Sequence, residues 1–263
     1  MLREVPEDAV EFCIMKLGFK PTGYQAELLR NPSQFIAARF CRQSGKTYTI
    51  TARILHRLLR NPGSWWGGFG PSFRQSKQII RKMTTFLLKL PKHWYYKPLK
   101  TKIEFANGSR FEAFPNNPDT IRGPTLNGIY CDEFNFVAND EDLYDAILFT
   151  LGTTNGEFIC SSTPWSRNHM FYKICKDGDF DDFKRFHVAW NKALEPSGPL
   201  KKNILEKIKR QLASDPWRWQ REMEAEWAED ESCWLPQNLI GQCQDSMLEI
   251  HVIDKRHSFW VVN

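Results

Sequence analysis

Apolar positions along the first two thirds of the chain fall into two patterns, short unbroken runs and longer stripes at helical spacing. Residues 34–40, QFIAARF, form an apolar, β-prone run, and KTYTITARILHRLLR after it keeps apolar side chains at helical spacing until Asn61-Pro62-Gly63 stops it. The pattern predicts a strand, a loop and a helix. WWGGF at 65–69 predicts a second short strand, and Pro71-Ser72 open a helix through FRQSKQIIRKMTTFLLKL that Pro91 ends. In TKIEFANGSRFEAF the alternation on both sides of Asn107-Gly108 predicts a hairpin with a two-residue turn. NGIYCDEF (127–134) and EFICSST (157–163) are apolar runs ending in polar residues, with a helix expected between them near 141–149. Strands alternating with helices predict an α/β fold with a mainly parallel central sheet flanked by helices and a ligand beyond the carboxyl ends of the strands.

Beyond that point the strand signal fades. Helices are expected near 200–212 and 216–227, an acidic EAEWAEDE follows, and the last stretch, LEIHVIDKRHSFWVVN, turns β-like again. The expected division is a core over 1–193, a small C-terminal helical lid or linker over 194–245, and a tail or the start of another domain over 246–263.

The 263 residues suffice for a full α/β core. Charged residues make up 25% and hydrophobic ones 41%, and no apolar run approaches the roughly 18 residues of a membrane span, so a soluble chain is expected. MLREVPEDAVEF has acids where a secretion signal needs a basic start and an apolar stretch, which points to the cytosol. The seven cysteines form no C-x-x-C pair and are read as reduced, and the six histidines show no metal-ligand spacing. The net charge of +5 weakly favours an anionic partner, and its distribution says more: from Arg74 to Lys102 there are nine basic residues and no acid, interleaved with Trp94, Tyr95 and Tyr96. Such a block can neutralise backbone phosphates whatever their sequence, which makes Arg74, Lys77, Arg81 and Lys82 candidate DNA contacts. A solvated helix face would read the same. Trp165, Trp190, Trp217, Trp219, Trp227 and Trp234 are expected to pack in the core and the helical segment.

The chemistry starts at FCRQSGKTYT. In a phosphate-binding loop, backbone N–H groups and a helix N-terminus surround the phosphates, a lysine neutralises them, and a Ser/Thr hydroxyl holds Mg²⁺. Gly45, Lys46 and Thr47 match the end of such a loop, whereas Phe40 stands where a glycine usually opens it. The triplet follows a predicted strand and opens a predicted helix, the one context in which the loop works. Asp132-Glu133 ends another apolar strand, 86 residues beyond Lys46, and supplies an acid for Mg²⁺ beside a carboxylate able to orient water. A Mg-ATP hydrolase is the leading reading.

With these residues in view the sequence resembles the ATPase domain of the viral (bacteriophage-type) terminase large subunit. TGYQAELL is similar to the family's adenine-side Tyr-Gln signature, CRQSGKT to its deviant Walker A, IRGPTLNGIYCDEF to the segment leading into Walker B, and ICSSTPWSRNHMFYKI to its coupling motif. SDPWRWQREMEAEWAED resembles its closing helix, so the likeness runs from about residue 22 to 230. It implies a P-loop NTPase of the RecA-like, additional-strand type. It also implies that Tyr24, Gln25, Gln43, Ser44, Gly45, Lys46 and Thr47 bind ATP, that Thr47 and Asp132 serve Mg²⁺, and that Glu133 activates water. Arg42 would be a cis arginine finger beside the γ-phosphate, and Ser162 and Thr163 a coupling sensor, with an N-cap of the following helix as their other reading.

The resemblance further implies translocation of double-stranded viral DNA into a procapsid in the host cytoplasm, with a portal protein and a small terminase subunit as partners. It implies a pentameric ring that supplies a trans arginine, and a weakly active monomer in isolation. Family members usually continue into a nuclease with clustered acids; Asp254 stands where a first such acid could be but is read as a surface residue, so nuclease activity is not expected from this chain. A superfamily-2-like helicase or translocase shares the GKT, DE and Ser/Thr motifs but needs a second motor domain. A non-hydrolysing binding protein with a relic loop would not need Lys46, Thr47, Asp132 and Glu133 intact.

Overall fold

The computed structural model describes residues 4–228. Two short helices, α1 (Ala9–Met15) and α2 (Gly23–Arg30), precede the first strand, β1 (Phe35–Phe40), and its helix α3 (Lys46–Arg60). There follow β2 (Trp65–Phe69), α4 (Phe73–Leu87), β3 (Lys102–Glu104), β4 (Arg110–Ala113), α5 (Pro118–Ile121), β5 (Gly128–Asp132) and α6 (Asp140–Leu151). β6 (Glu157–Ser162), α7 (Met170–Lys176), β7 (Phe183–Val188), α8 (Trp190–Ala193), α9 (Lys202–Gln211) and α10 (Pro216–Glu222) complete the described part.

The strands form one sheet in the order β3-β4-β2-β5-β6-β1-β7, parallel except for the β3–β4 pair. β6 therefore lies between the strand that feeds the GKT loop and the strand that ends in Asp132, which is the additional-strand arrangement the resemblance implies. Interior parallel strands bury both faces, and their side chains sort by the period of two. Ile36, Ala38, Tyr130 and Ile159 join the core on one face; Ala37, Ile129, Cys131, Phe158 and Cys160 join the core on the other.

Helix α3 is buried on nearly every side, packed by α1, α2 and α4. Most of its buried polar groups find partners, as a low-dielectric interior favours, with Arg53 Nε the exception among those described. Thr49 Oγ1 donates to Gly45 O, Thr51 Oγ1 to Thr47 O, and His56 Nε2 pairs with Pro6 O. The Arg53 guanidinium donates to the carbonyls of Leu28, Leu29 and Asn31 and pairs with Glu157 at 3.0 Å. The helix that carries Lys46 is thus anchored by its own polar side chains to the elements around it.

The predicted hairpin is present, with a different turn. Phe105 N donates to Ser109 O, so three residues, Ala106 to Gly108, make the loop, and Gly108 takes φ +82°. The extra residue frees the Asn107 amide to donate to Leu58 O and Leu59 O at the end of α3. Close packing rather than turn geometry fixes another glycine: a Cβ on Gly128 would sit 2.3 Å from the Trp66 indole.

The expected helix over 216–227 stops at Glu222. Met223 O accepts from Trp190 N, Ala225 takes φ +53°, and the chain returns so that Trp227 is buried against Phe171 and Tyr172 with its Nε1 on Asn135 Oδ1. Burial of one indole with a satisfied N–H outweighs another helical turn. Residues 229–263 lie outside the described residues, and with them Trp234, the end of the expected lid and the β-like tail. Among the described residues no helix is long and apolar enough to cross a membrane.

Candidate active site

The carboxyl ends of β1, β5 and β6 meet at one cleft of about 520 Å³, lined by residues 41–48 together with Gln75, Lys82, Glu133, Phe136, Thr163 and Glu222. Phe40, in the glycine's place, ends β1 fully buried and edge-on to Tyr24, with ring centroids 5.7 Å apart. The backbone reversal is made further on, where Gln43 (φ +62°) and Gly45 (φ +84°) take left-handed conformations. Only glycine is comfortable at the second, since a Cβ there would also lie 2.7 Å from Gln25 Nε2. The loop is pinned by Tyr24 OH donating to Ser44 O at 2.7 Å and Ser44 Oγ donating to Cys41 O at 2.6 Å. Burial pushes the Tyr24 phenol up to about 12, so it keeps the proton this bond needs. Gln25 is buried and accepts from Thr22 N in a capping box, so its place is beneath the loop. Among the described residues, the backbone N–H groups of Gln43, Gly45, Lys46 and Thr47 meet no acceptor. Such groups at a helix N-terminus form an anion cradle.

Lys46 reaches across the cleft and donates to Glu133 Oε1 at 2.9 Å, and Thr47 Oγ1 donates to Asp132 Oδ2 at 2.9 Å. Glu133 sits at φ +54°, a left-handed conformation rare outside glycine and a form of strain that clusters at functional sites. Its Oε2 accepts from Thr163 N at 3.4 Å and faces Ser162 Oγ at 3.2 Å, a hydroxyl whose single proton is shared with the nearer Thr163 O at 2.8 Å. Burial alone pushes the Glu133 carboxyl up, but the charge and hydrogen bond of Lys46, with the Thr163 and Ser162 donors, bring it below its usual range. Ser162 and Thr163 thus hold Glu133, and they do not cap α7: its N-cap is His169, and the Met170 N–H goes to Asp140. Thr47 and Asp132 offer hard oxygen donors at bonding separation, a set that suits Mg²⁺.

Arg42 is placed at the rim. Its side chain, 63% exposed, donates to Glu222 Oε1 at 3.0 Å, and its N–H donates to Glu222 O at 2.8 Å. The basic block is divided by the period of α4. Lys82 lines the cleft, while Lys77 and Arg81 line a separate groove with Lys100, Thr84 and Leu99, and Arg74 is exposed at the start of the helix. Lys89 donates to Leu17 O, Lys102 pairs with Glu104, and Trp94 is fully buried. Trp165, expected in the core, is 49% exposed, packed at a tilt against Phe136 and under Arg221. Ser161 and Gln75 were missed as site residues, and Lys82, expected on the DNA face, lines the nucleotide cleft instead. The β-strand period puts Ser161 on the face of Asp132, a signal available only once β5 and β6 are paired.

The family described as terminase large subunit, T4-like-virus type, N-terminal, matches residues 39–242. The structure resembles the large terminase ATPase domain of Thermus phage P74-26, with TM-score 0.63 and 23% identity over 83% of this chain and 98% of that one. It resembles the large terminase of bacteriophage HK97 with TM-score 0.71 and 16% identity over 86% of this chain and 56% of that one. The large terminase of a further thermophilic bacteriophage, solved in complex with ADP, gives TM-score 0.64 at 17% identity, over 79% of this chain and 54% of that one. At these identities the structures show the shared fold, and the family match carries the assignment over a helicase. The chain belongs to the terminase large subunit family, T4-like-virus type, and has the fold of its N-terminal ATPase domain.

Proposed function

We propose that this chain hydrolyses Mg-ATP and uses the cycle to drive double-stranded viral DNA into a procapsid in the host cytoplasm. The observation that carries the reading is the convergence of Lys46, Thr47, Asp132 and Glu133 through two contacts of 2.9 Å from opposite sides of one cleft. The thermophilic-phage enzyme solved with ADP is a relative of this fold that binds a nucleotide. The triphosphate lies in the 43–47 cradle, and Lys46 turns from Glu133 to the β- and γ-phosphates. Released from Lys46 but still held by Ser162 and Thr163, Glu133 aligns the attacking water. Thr47 and Asp132 would hold Mg²⁺, which supplies neutralisation of the phosphate charge. Arg42 exchanges Glu222 for the developing charge on the γ-phosphate.

Because Glu133 hangs from the tip of β6, any change in its charge state or partner is felt at Ser162 and Thr163, and through them by the chain that leads to α7. The helical segment over 202–222 serves as the lid, and Arg42–Glu222 is its contact with the loop. Lys77, Arg81 and Lys100 supply a cationic groove for the DNA backbone. Full activity requires a ring of copies on a portal, with the small subunit delivering DNA. Turnover by wild type and Glu133→Ala tests the reading: equal rates would sink the hydrolase claim.

A further inference from the structure

One polar chain runs from the sheet interior to the cleft, and the mechanism above does not use it. Tyr130, fully buried on β5, places its hydroxyl 2.9 Å from Ser161 Oγ, and Ser161, fully buried on β6, lies 3.0 Å from Asp132 Oδ1. The arrangement follows from the pleat. Tyr130 and Asp132 are two residues apart and share a face, and Ser161 is the register partner of Asp132 on the neighbouring strand. An ionised carboxylate only accepts, so Ser161 gives its single proton to Asp132 and must itself accept from Tyr130. The direction of both bonds is therefore fixed. Asp132 Oδ1 also accepts from Glu133 N at 3.2 Å, which leaves Oδ2 as the oxygen on Thr47.

We propose that Ser161, itself oriented by Tyr130, is the positioning residue for Asp132, fixing which carboxylate oxygen faces the divalent cation. The inference rests on the reading of Asp132 as the Mg²⁺ carboxylate. Two donors on Oδ1 hold the carboxylate against rotation and keep Oδ2 beside Thr47, the pair that would hold the cation. Partners of this kind behind a ligand are worth about 10–100-fold in metal affinity. Ser161 and Tyr130 are fully buried behind Asp132, so their effect reaches the metal through Asp132.

The test uses the full chain with a non-hydrolysable ATP analogue and Mn²⁺, whose binding is read by electron paramagnetic resonance, alongside the Mg²⁺ dependence of turnover. Ser161→Ala should weaken Mn²⁺ binding roughly 10-fold or more and raise the half-saturating Mg²⁺ by a similar factor. Metal-free analogue affinity should stay within about 2-fold of wild type. Ser161→Thr should restore both metal readouts, and Tyr130→Phe should shift them in the same direction by about 3-fold, since Ser161 keeps its proton but loses its orientation. The second variant removes one oxygen and keeps the ring, so it retains the fold if Ser161→Ala does not. A lower melting temperature with unchanged metal readouts in both variants would overturn the inference and leave a merely structural pair. Asp132→Asn separates the two claims: if it too left metal binding unchanged, the parent reading would fall with the relay.

Discussion

Replacing Glu133 by glutamine separates the two tasks assigned to that residue. Lys46 is 8% exposed and bonds Glu133 at 2.9 Å, so without nucleotide the site neutralises its own lysine. A hydrogen bond to a charged group contributes about 1.5–3 kcal/mol net, and because Glu133 is one-third open to water the lower end applies, about 1 kcal/mol after screening. Glutamine keeps the size and an acceptor for Lys46 but removes the charge. Nucleotide then competes with a weaker partner, and ATP should bind about 5-fold more tightly. Turnover should fall about 10²–10⁴-fold, the usual loss when a catalytic base is removed. Titration with a fluorescent ATP analogue and steady-state phosphate release measure the two effects. Glu133→Gln turning over at the wild-type rate, or binding nucleotide more weakly, would refute the reasoning. The pH dependence carries the same sign. A carboxylate held below its usual range contributes stability above its unfolded value, about 4.3, and loses it as pH falls through the lower folded value. The melting-temperature gap between wild type and Glu133→Gln should therefore be flat from about pH 6 to 8 and close only below about 4.3.

Arg42→Ala should lower turnover by roughly 10³-fold, an arginine-finger magnitude, while changing ATP affinity less than about 3-fold; matched losses in both would place the residue in ground-state binding instead. Without nucleotide the Arg42–Glu222 pair is largely exposed on the arginine side, so a double-mutant cycle on thermal stability should return under about 1 kcal/mol. Gly128→Ala drives a methyl to 2.3 Å from the Trp66 indole and should cost about 3 kcal/mol, a fall of roughly 6–12 °C in melting temperature. Gly178→Ala, which meets nothing within 4 Å, is the control. Lys77→Ala with Arg81→Ala should weaken duplex DNA binding and reduce the slope of log affinity against log salt by about 2, whereas Lys82→Ala should leave that slope alone and weaken ATP binding; the reverse pattern would return Lys82 to the DNA face.

The parts of the site legible in the sequence are those whose chemistry is written in consecutive residues. Strand, loop and helix around Gly45-Lys46-Thr47, and the acids closing β5, are local patterns, and the sheet brings them together because the carboxyl ends of parallel strands share an edge. β7 escaped notice for a local reason as well. Lys184, Arg185 and His187 interrupt its apolar pattern, as charges commonly do on an edge strand that must not pair further. What stayed hidden depends on pairing at long range. Arg42 finds Glu222 across 180 residues, and the basic residues of α4 divide between two surfaces that depend on how the helix packs on α3.

Phe40 shows why an irregular loop need not be a defective one. A glycine opening a phosphate loop serves backbone reversal, and here that duty has moved to Gln43 and Gly45, both at positive φ. The vacated position can then continue β1 into the core and carry a large side chain, and Phe40 uses it to support Tyr24, whose hydroxyl holds Ser44 in place. The loop is thus braced from below by packing. On this argument Phe40→Gly should be worse than the wild type despite restoring the common pattern. It removes a fully buried ring at a cost of about 3–5 kcal/mol, and it leaves Tyr24 without its neighbour. Thermal unfolding measures the first effect and ATP affinity the second; a Phe40→Gly chain of wild-type stability and unchanged affinity would show that the brace contributes nothing.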